Sequence, residues 1–274
     1  RKIVDEKVGR PLGEKALRWA LKEGLPSPLF GPAMALGQSV RGLLPDSLKA
    51  KVPPRQQAGA WPTRTHARRV LMLAGCVQPA MMPNINSATA RVLDAAGIQT
   101  VVEGNAGCCG AVAFHMNFQE DGRDHMRRNV DAWLPMLDAG VETIVMTASG
   151  CGSTVKEYDH LLAHDGTYAA RAARVSAATR DLTQVLEAES ERLVPMLEQA
   201  AAGKPRRKLA FHSPCSLQHG QQIRGKAETL LMMTQQHNMK EENILYPMCD
   251  QHLMARVERL VPQLKGGISL AERA

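Results

Sequence analysis

Apolar positions along the chain fall into runs whose spacing predicts an α/β fold. Residues 1 to about 62 hold two helical stripes, Leu17, Trp19 and Leu21 in one and Met34, Leu36, Val40, Leu43 and Leu44 in the other, interrupted by Pro and Gly. This segment reads as a helical lead-in that closes with a Pro-rich linker, Val52-Pro53-Pro54 through Trp61-Pro62. The continuous run Val70-Leu71-Met72-Leu73-Ala74 follows, and an apolar run of that length between turn signals predicts a buried strand. Ala88, Val92 and Ala96 at helical spacing predict a helix over residues 86–96, stopped by Gly97. Residues 98–102 read as a second strand, the face Met126, Val130, Trp133 and Leu137 as a second helix, and residues 143–147 as a third strand. Strand and helix in alternation with short connections predict largely parallel strands with flanking helices. Residues 154–202 then read as helical, with the charged stretch around Glu187, Glu189, Glu191 and Arg192 as solvated surface. Leu209-Ala210-Phe211-His212 is a further short strand candidate.

Chemistry enters through the cysteines at positions 76, 108, 109, 151, 215 and 249. The first five each touch a turn marked by Gly or Pro. Cys76, the loop Gly107-Cys108-Cys109-Gly110 and the loop Ser149-Gly150-Cys151-Gly152 all fall at predicted strand C-termini, the edge where α/β sheets bind ligands. Gly75, Gly107, Gly110, Gly150 and Gly152 are expected to let backbone amides approach a bound group closely. One free cysteine is usually a small buried hydrophobe. Four of them, each in a glycine-marked turn at a strand end, point to metal. Four thiolates suit a tetrahedral zinc as well as an iron–sulfur cluster, but an adjacent pair lacks the two-residue gap usual in zinc knuckles, which favours iron–sulfur. His115, His212 and His219 lie near these loops and read first as hydrogen-bonded histidines, second as groups that tune or ligate.

Bulk composition narrows the field. With 274 residues, 44% of them hydrophobic and 22% charged, the chain is large enough for a true core and is not of disordered composition. No apolar run is long enough to span a bilayer. The net charge of +7 and the pI near 9.2 would suit an anionic partner, yet aromatic residues are only 4% and the basic residues are scattered. The one compact basic run, Lys204, Arg206, Arg207 and Lys208, precedes an apolar stretch and reads as a solvated loop, so nucleic acid is not the expected partner and membrane-surface attraction ranks above it. No Gly-rich phosphate loop and no nucleophile elbow is present, which argues against nucleotide hydrolysis and serine esterase chemistry. The chain opens on Arg without a secretory apolar core and reads as a piece of a cytoplasmic protein.

Several motifs occur together in order: Leu73-Ala74-Gly75-Cys76-Val77-Gln78-Pro79, Asn84-Ile85-Asn86, Gly107-Cys108-Cys109-Gly110-Ala111 with His115, Thr147-Ala148-Ser149-Gly150-Cys151-Gly152 with Lys156-Glu157-Tyr158, and His212-Ser213-Pro214-Cys215-Ser216-Leu217-Gln218-His219-Gly220. Over residues 1 to about 230 the chain resembles the iron–sulfur subunit of glycolate oxidase, part of a wider group with cysteine-rich CCG domains that includes the heterodisulfide reductase B subunit and lactate-utilisation proteins. The resemblance implies an α/β cysteine-rich domain in which Cys76, Cys108, Cys109 and Cys151 hold a cluster, expected to be 4Fe-4S, and Cys215 opens a second such domain. It implies electron relay towards quinone from flavin-containing glycolate oxidase subunits, with FAD in the partner and not in this chain, in a complex peripheral to the inner face of the plasma membrane. The chain would then be a non-catalytic part of an oxidoreductase. Alternatives are a subunit of a lactate or heterodisulfide-type oxidoreductase, or a non-catalytic zinc or iron-binding module. The chain departs from the family pattern in lacking its ferredoxin-like cysteine runs, in carrying Ala148 where the fullest motif has Cys, and in changing character after about Leu231.

Beyond that point His237-Asn238-Met239-Lys240-Glu241-Glu242-Asn243-Ile244-Leu245-Tyr246-Pro247 resembles the end of a hemerythrin-type domain. His237 and Glu241, four residues apart, would share a helix face as iron ligands. The plainer reading is an amphipathic surface helix, and Cys249 reads as an unliganded thiol. The expected organisation is thus a lead-in over 1–62, a first cysteine-rich domain over 63–202, the start of a truncated second one over 203–231, and a hemerythrin-like helical tail over 232–274.

Overall fold

Apolar runs place three of the four strands. In the computed structural model, which describes residues 2–201, 211–226, 228 and 229, β1 (Arg68–Met72), β2 (Ile98–Val101), β3 (Ile144–Met146) and β4 (Thr179–Asp181) form a wholly parallel sheet in the order β2-β1-β3-β4. The α/β class expected from the alternation is the class observed. Arg1–Ala227 cluster as one unit, and the description concerns that unit. The basic run at 204–208, His237, Glu241 and Cys249 lie outside the described residues, as do Leu209 and Ala210 of the strand candidate.

Helices occupy both faces of the sheet. The lead-in supplies α1 (Lys2–Val8), α2 (Leu12–Gly24), α3 (Phe30–Ser39) and α4 (Asp46–Lys49). Between β1 and β2 run α5 (Gln78–Met81) and α6 (Pro83–Ala95), and between β2 and β3 run α7 (Ala111–His115) and α8 (Gln119–Asp138). After β3 come α9 (Ser149–Lys156), α10 (Tyr158–Leu161) and α11 (Ala169–Ala178), and after β4 come α12 (Leu182–Ala188) and α13 (Ser190–Ala201). Because strand side chains alternate between faces, Leu71, Ile144 and Met146 meet α8 to α11, while their neighbours Val70 and Val145 meet α6, α12 and α13. Both faces are covered, which is why β1 and β3 read as unbroken apolar runs.

Sheet order also places the ligand edge. The chain goes from β1 out to β2, then crosses back past β1 to β3 on its other side. The loops leaving β1 and β3 therefore diverge around a gap at the sheet's C-terminal edge, the position where such folds bind ligands.

Local differences from the sequence expectation have physical causes. β4 interrupts what reads as a helical stretch, because its three residues contain no apolar side chain: Thr179 is buried through a 2.8 Å hydrogen bond to the Val175 carbonyl, and Asp181 caps α12 with a complete capping box. Glu189 is not solvated surface, whereas Arg192 is exposed as expected and is tied down at its tip. Glu189, with its side chain only 11% exposed, pairs with Arg68 at 2.8 Å, and Arg192 donates to the Ala96 carbonyl at 2.7 Å. α2 is turned opposite to a normal amphipathic helix. Its partly covered residues Glu14, Arg18 and Lys22 recur every four positions towards the domain, where Arg18 donates to the Met116 carbonyl, and Lys22 pairs with Asp121 and sits 4.8 Å over the Phe118 ring. Leu12, Leu17 and Trp19, at 84%, 59% and 58% exposure, face outwards.

Trp133 on α8 is fully buried in the larger of the two core clusters. Trp133→Ala is expected to cost about 3–5 kcal/mol of unfolding free energy, since the site loses both transfer energy and packing; urea denaturation followed by circular dichroism measures it.

Candidate metal centre

β1, β2 and β3 each deliver cysteine beyond their C-terminal ends. β1 runs into Gly75, whose φ of 82° turns the chain so that Cys76 precedes α5. β2 leads to Cys108 and Cys109, both buried, just before α7. β3 leads to Cys151, half-buried. The Ser149–Gly152 stretch expected as a loop is instead the first turn of α9. Its amides start a helix at once, so Gly150 has open space around it and contributes no special backbone shape.

The four thiols make one hydrogen-bonded row. Cys76 contacts Cys108, Cys108 contacts Cys109, and Cys109 contacts Cys151. Roles alternate along the row. Cys108 accepts from Cys109 and Cys76, which holds it well below the ordinary thiol range despite burial; the Gly110 amide and the nearby His125 act in the same direction. Cys151 is lowered by accepting from Cys109. Cys76 is pushed up by donating to Cys108 and by burial, and Cys109 by donating to Cys108 and Cys151 and by burial. Cys108 and Cys151 are thus drawn towards the thiolate and Cys76 and Cys109 away from it, and thiolates are the form that binds metal.

Backbone around the cysteines is pinned by two buried polar groups. In the first, Asn129 on α8 accepts from the Gly107 amide at 2.9 Å and donates to the Cys108 carbonyl at 3.0 Å and to the Tyr158 hydroxyl at 3.1 Å. Tyr158, on α10, donates to the Cys109 carbonyl at 2.7 Å. In the second, Gln78 donates to Asn86 at 2.6 Å and to Thr147 at 2.8 Å, and Asn86 donates to the Ala74 carbonyl at 2.9 Å. This second group ties the Cys76 turn to the residue that leads into α9. Asn129 was open to detection: it sits among Met126, Val130 and Trp133 on the buried stripe of α8, a polar residue at a core position.

The remaining candidates lie apart. Cys215 is exposed at the N-cap of a π-helical turn, Ser216–Gly220. That turn packs on α9: Ser149 and Ser216 share a 2.7 Å hydroxyl contact, and Gln221 donates to the Ser149 carbonyl at 3.0 Å. His115, His212 and His219 are exposed. Among the described residues no three His, Cys, Asp or Glu side chains are disposed to hold a single metal ion. The donor set itself is four sulfurs, with no carboxylate or imidazole in the row, and that chemistry fits a soft, thiolate-bound group.

Residues 70–156, which contain all four of these cysteines, match the family model of the cysteine-rich CCG domain. Over this stretch the chain is therefore similar to the cysteine-rich CCG domain. More particularly, it is similar to the glycolate oxidase iron-sulfur subunit of Escherichia coli K12, 46% identical over 234 residues that make up 85% of this chain and 56% of that protein. A probable glycolate oxidase iron-sulfur subunit of Bacillus subtilis is 32% identical over 54% of this chain and 33% of its own length. Lactate utilization protein A of Geobacillus thermodenitrificans is 25% identical over 60% and 63%. The chain thus spans about half the length of the Escherichia coli relative and about a third of the Bacillus subtilis one. No solved structure matches.

Gly110 is the most constrained backbone position at the site. Its φ is 89°, and a Cβ there would stand 2.5 Å from the Gly122 carbonyl oxygen of α8. Gly110→Ala is expected to destabilise the fold by at least about 2 kcal/mol, combining left-handed strain with a backbone clash; urea denaturation of the purified variant gives the number.

Proposed function

We propose that the chain is the cysteine-rich part of an iron–sulfur electron-transfer subunit in a glycolate-oxidising complex. Electrons would arrive from a flavin-bearing subunit and leave towards quinone at the inner face of the plasma membrane. The observation that carries this reading is the row Cys76, Cys108, Cys109 and Cys151, assembled from three neighbouring strand ends. Likeness to the Escherichia coli subunit over 85% of the chain supports it. For a peripheral site the supporting fact is the net charge of +7.

Cys76, Cys108, Cys109 and Cys151 would hold a cluster, of 4Fe-4S type. Such a group, when bound, takes up and releases single electrons without bond making in the protein. The chain's own residues bury Cys108 and Cys109, exclude water from one side through α8 and α10, and hold the Cys76 and Cys151 turns in fixed relation through Gln78, Asn86 and Thr147. None of them is placed to do carbon chemistry, which falls to the flavin partner. Cys215, exposed and outside the row, is not assigned a ligand role.

The full chain purified without oxygen should contain iron and acid-labile sulfide and give an electron paramagnetic resonance signal on reduction. Cys108→Ser and Cys109→Ser should each lose both iron and sulfide, whereas Cys215→Ser should retain them. Zinc alone, or no metal after reconstitution, would refute the assignment.

A further inference from the structure

The buried pair Asn129 and Tyr158 does more than tie down a loop, because the peptide it touches is the one that reaches the sulfur. Tyr158 donates to the Cys109 carbonyl at 2.7 Å. The same peptide unit ends in the Gly110 N–H, which donates to the Cys108 sulfur. Upstream, Asn129 donates to the Tyr158 hydroxyl oxygen at 3.1 Å, and its own carbonyl oxygen accepts from the Gly107 amide at 2.9 Å. Written in order, the donors run from the Gly107 amide through Asn129, Tyr158 and the Cys109–Gly110 peptide to Cys108. Every dipole in the series points its positive end towards the sulfur. Asn129 and Tyr158 are both wholly buried, so no water screens the series. In such surroundings consecutive hydrogen bonds polarise one another.

We propose that Tyr158, backed by Asn129, is a positioning residue that raises the reduction potential of the group held by Cys108, acting through the Cys109–Gly110 peptide. The argument rests on the proposed cluster-binding role. Its physical basis is that hydrogen bonds to ligand sulfur stabilise the more negative, reduced state. A hydroxyl that polarises the donating peptide strengthens that bond without touching the sulfur.

Tyr158→Phe keeps the ring in the core and deletes only the donor. In the full chain, with iron and sulfide content equal to the parent, a redox titration followed by electron paramagnetic resonance should show a lower potential. The expected size is about two- to fivefold in the one-electron reduction equilibrium, the scale of cooperative strengthening of one charge-assisted bond. Tyr168→Phe, at a half-buried tyrosine bonded to Asp131 and outside the hydrogen-bond series, should leave the potential unchanged. A difluorotyrosine placed at 158 is a stronger donor and should move the potential upwards; this second protein decides the matter where the Phe variant does not retain iron. An unchanged or raised potential in an iron-loaded Phe variant, or an unchanged potential in the fluorinated one, overturns the inference and leaves the cluster assignment standing. A parent protein that binds no iron and sulfide overturns both.

Discussion

The single row of sulfurs that links residues as distant in sequence as Cys76 and Cys151 depends on parallel pairing of β1 with β2 and β3. Parallel strands end on the same edge, so β1, β2 and β3 each turn their cysteines towards the same side of the sheet. A meander of the same strands would send successive turns to opposite edges. The crossover that puts β3 on the far side of β1 adds the gap into which the loops open. What holds this arrangement is burial on two faces, with Leu71 and Ile144 on one and Val70 and Val145 on the other.

The same dependence explains what could be read from the chain and what could not. β1 and β3 are legible because double burial demands apolar residues, β2 because its buried Ile98 follows the Gly97 stop, and the cysteines because glycine-marked turns follow these segments. β4 is not, since Thr179, Arg180 and Asp181 earn their place in the sheet by hydrogen bonding and capping, which leave no hydrophobic signature. The first turn of α9 looks like a loop because Ser149, Gly150 and Gly152 are poor helix formers; its start is imposed by the end of β3 and by contacts with Ser216 and Gln221, far along the chain. Asn129 and Tyr158 escape notice for a related reason. Their helices are placed by periodicity, but their meeting over the Cys108 and Cys109 carbonyls is a tertiary event.

Two polar groups with different geometry thus support one row of sulfurs. Gln78, Asn86 and Thr147 bind turn to turn and fix the separation of the outer cysteines. Asn129 and Tyr158 bind helix to loop and act on the inner pair, whose carbonyls they occupy. Every one of these side chains satisfies a backbone group or another polar side chain that the turns leave unpaired, so the loops carry their own hydrogen-bonding partners into the core.

The reversed polarity of α2 gives the molecule two kinds of adhesion. The sheet and its helices are held by exclusion of water, whereas α2 is held to α8 and its approach by Arg18 and Lys22, that is, by charge. Ions in solution screen the second and not the first. Concentrated salt would therefore weaken the hold on α2 while leaving the cysteine-bearing core intact, and dilute buffer would strengthen it, so that ionic strength bears on how freely the outward row of Leu12, Leu17 and Trp19 moves.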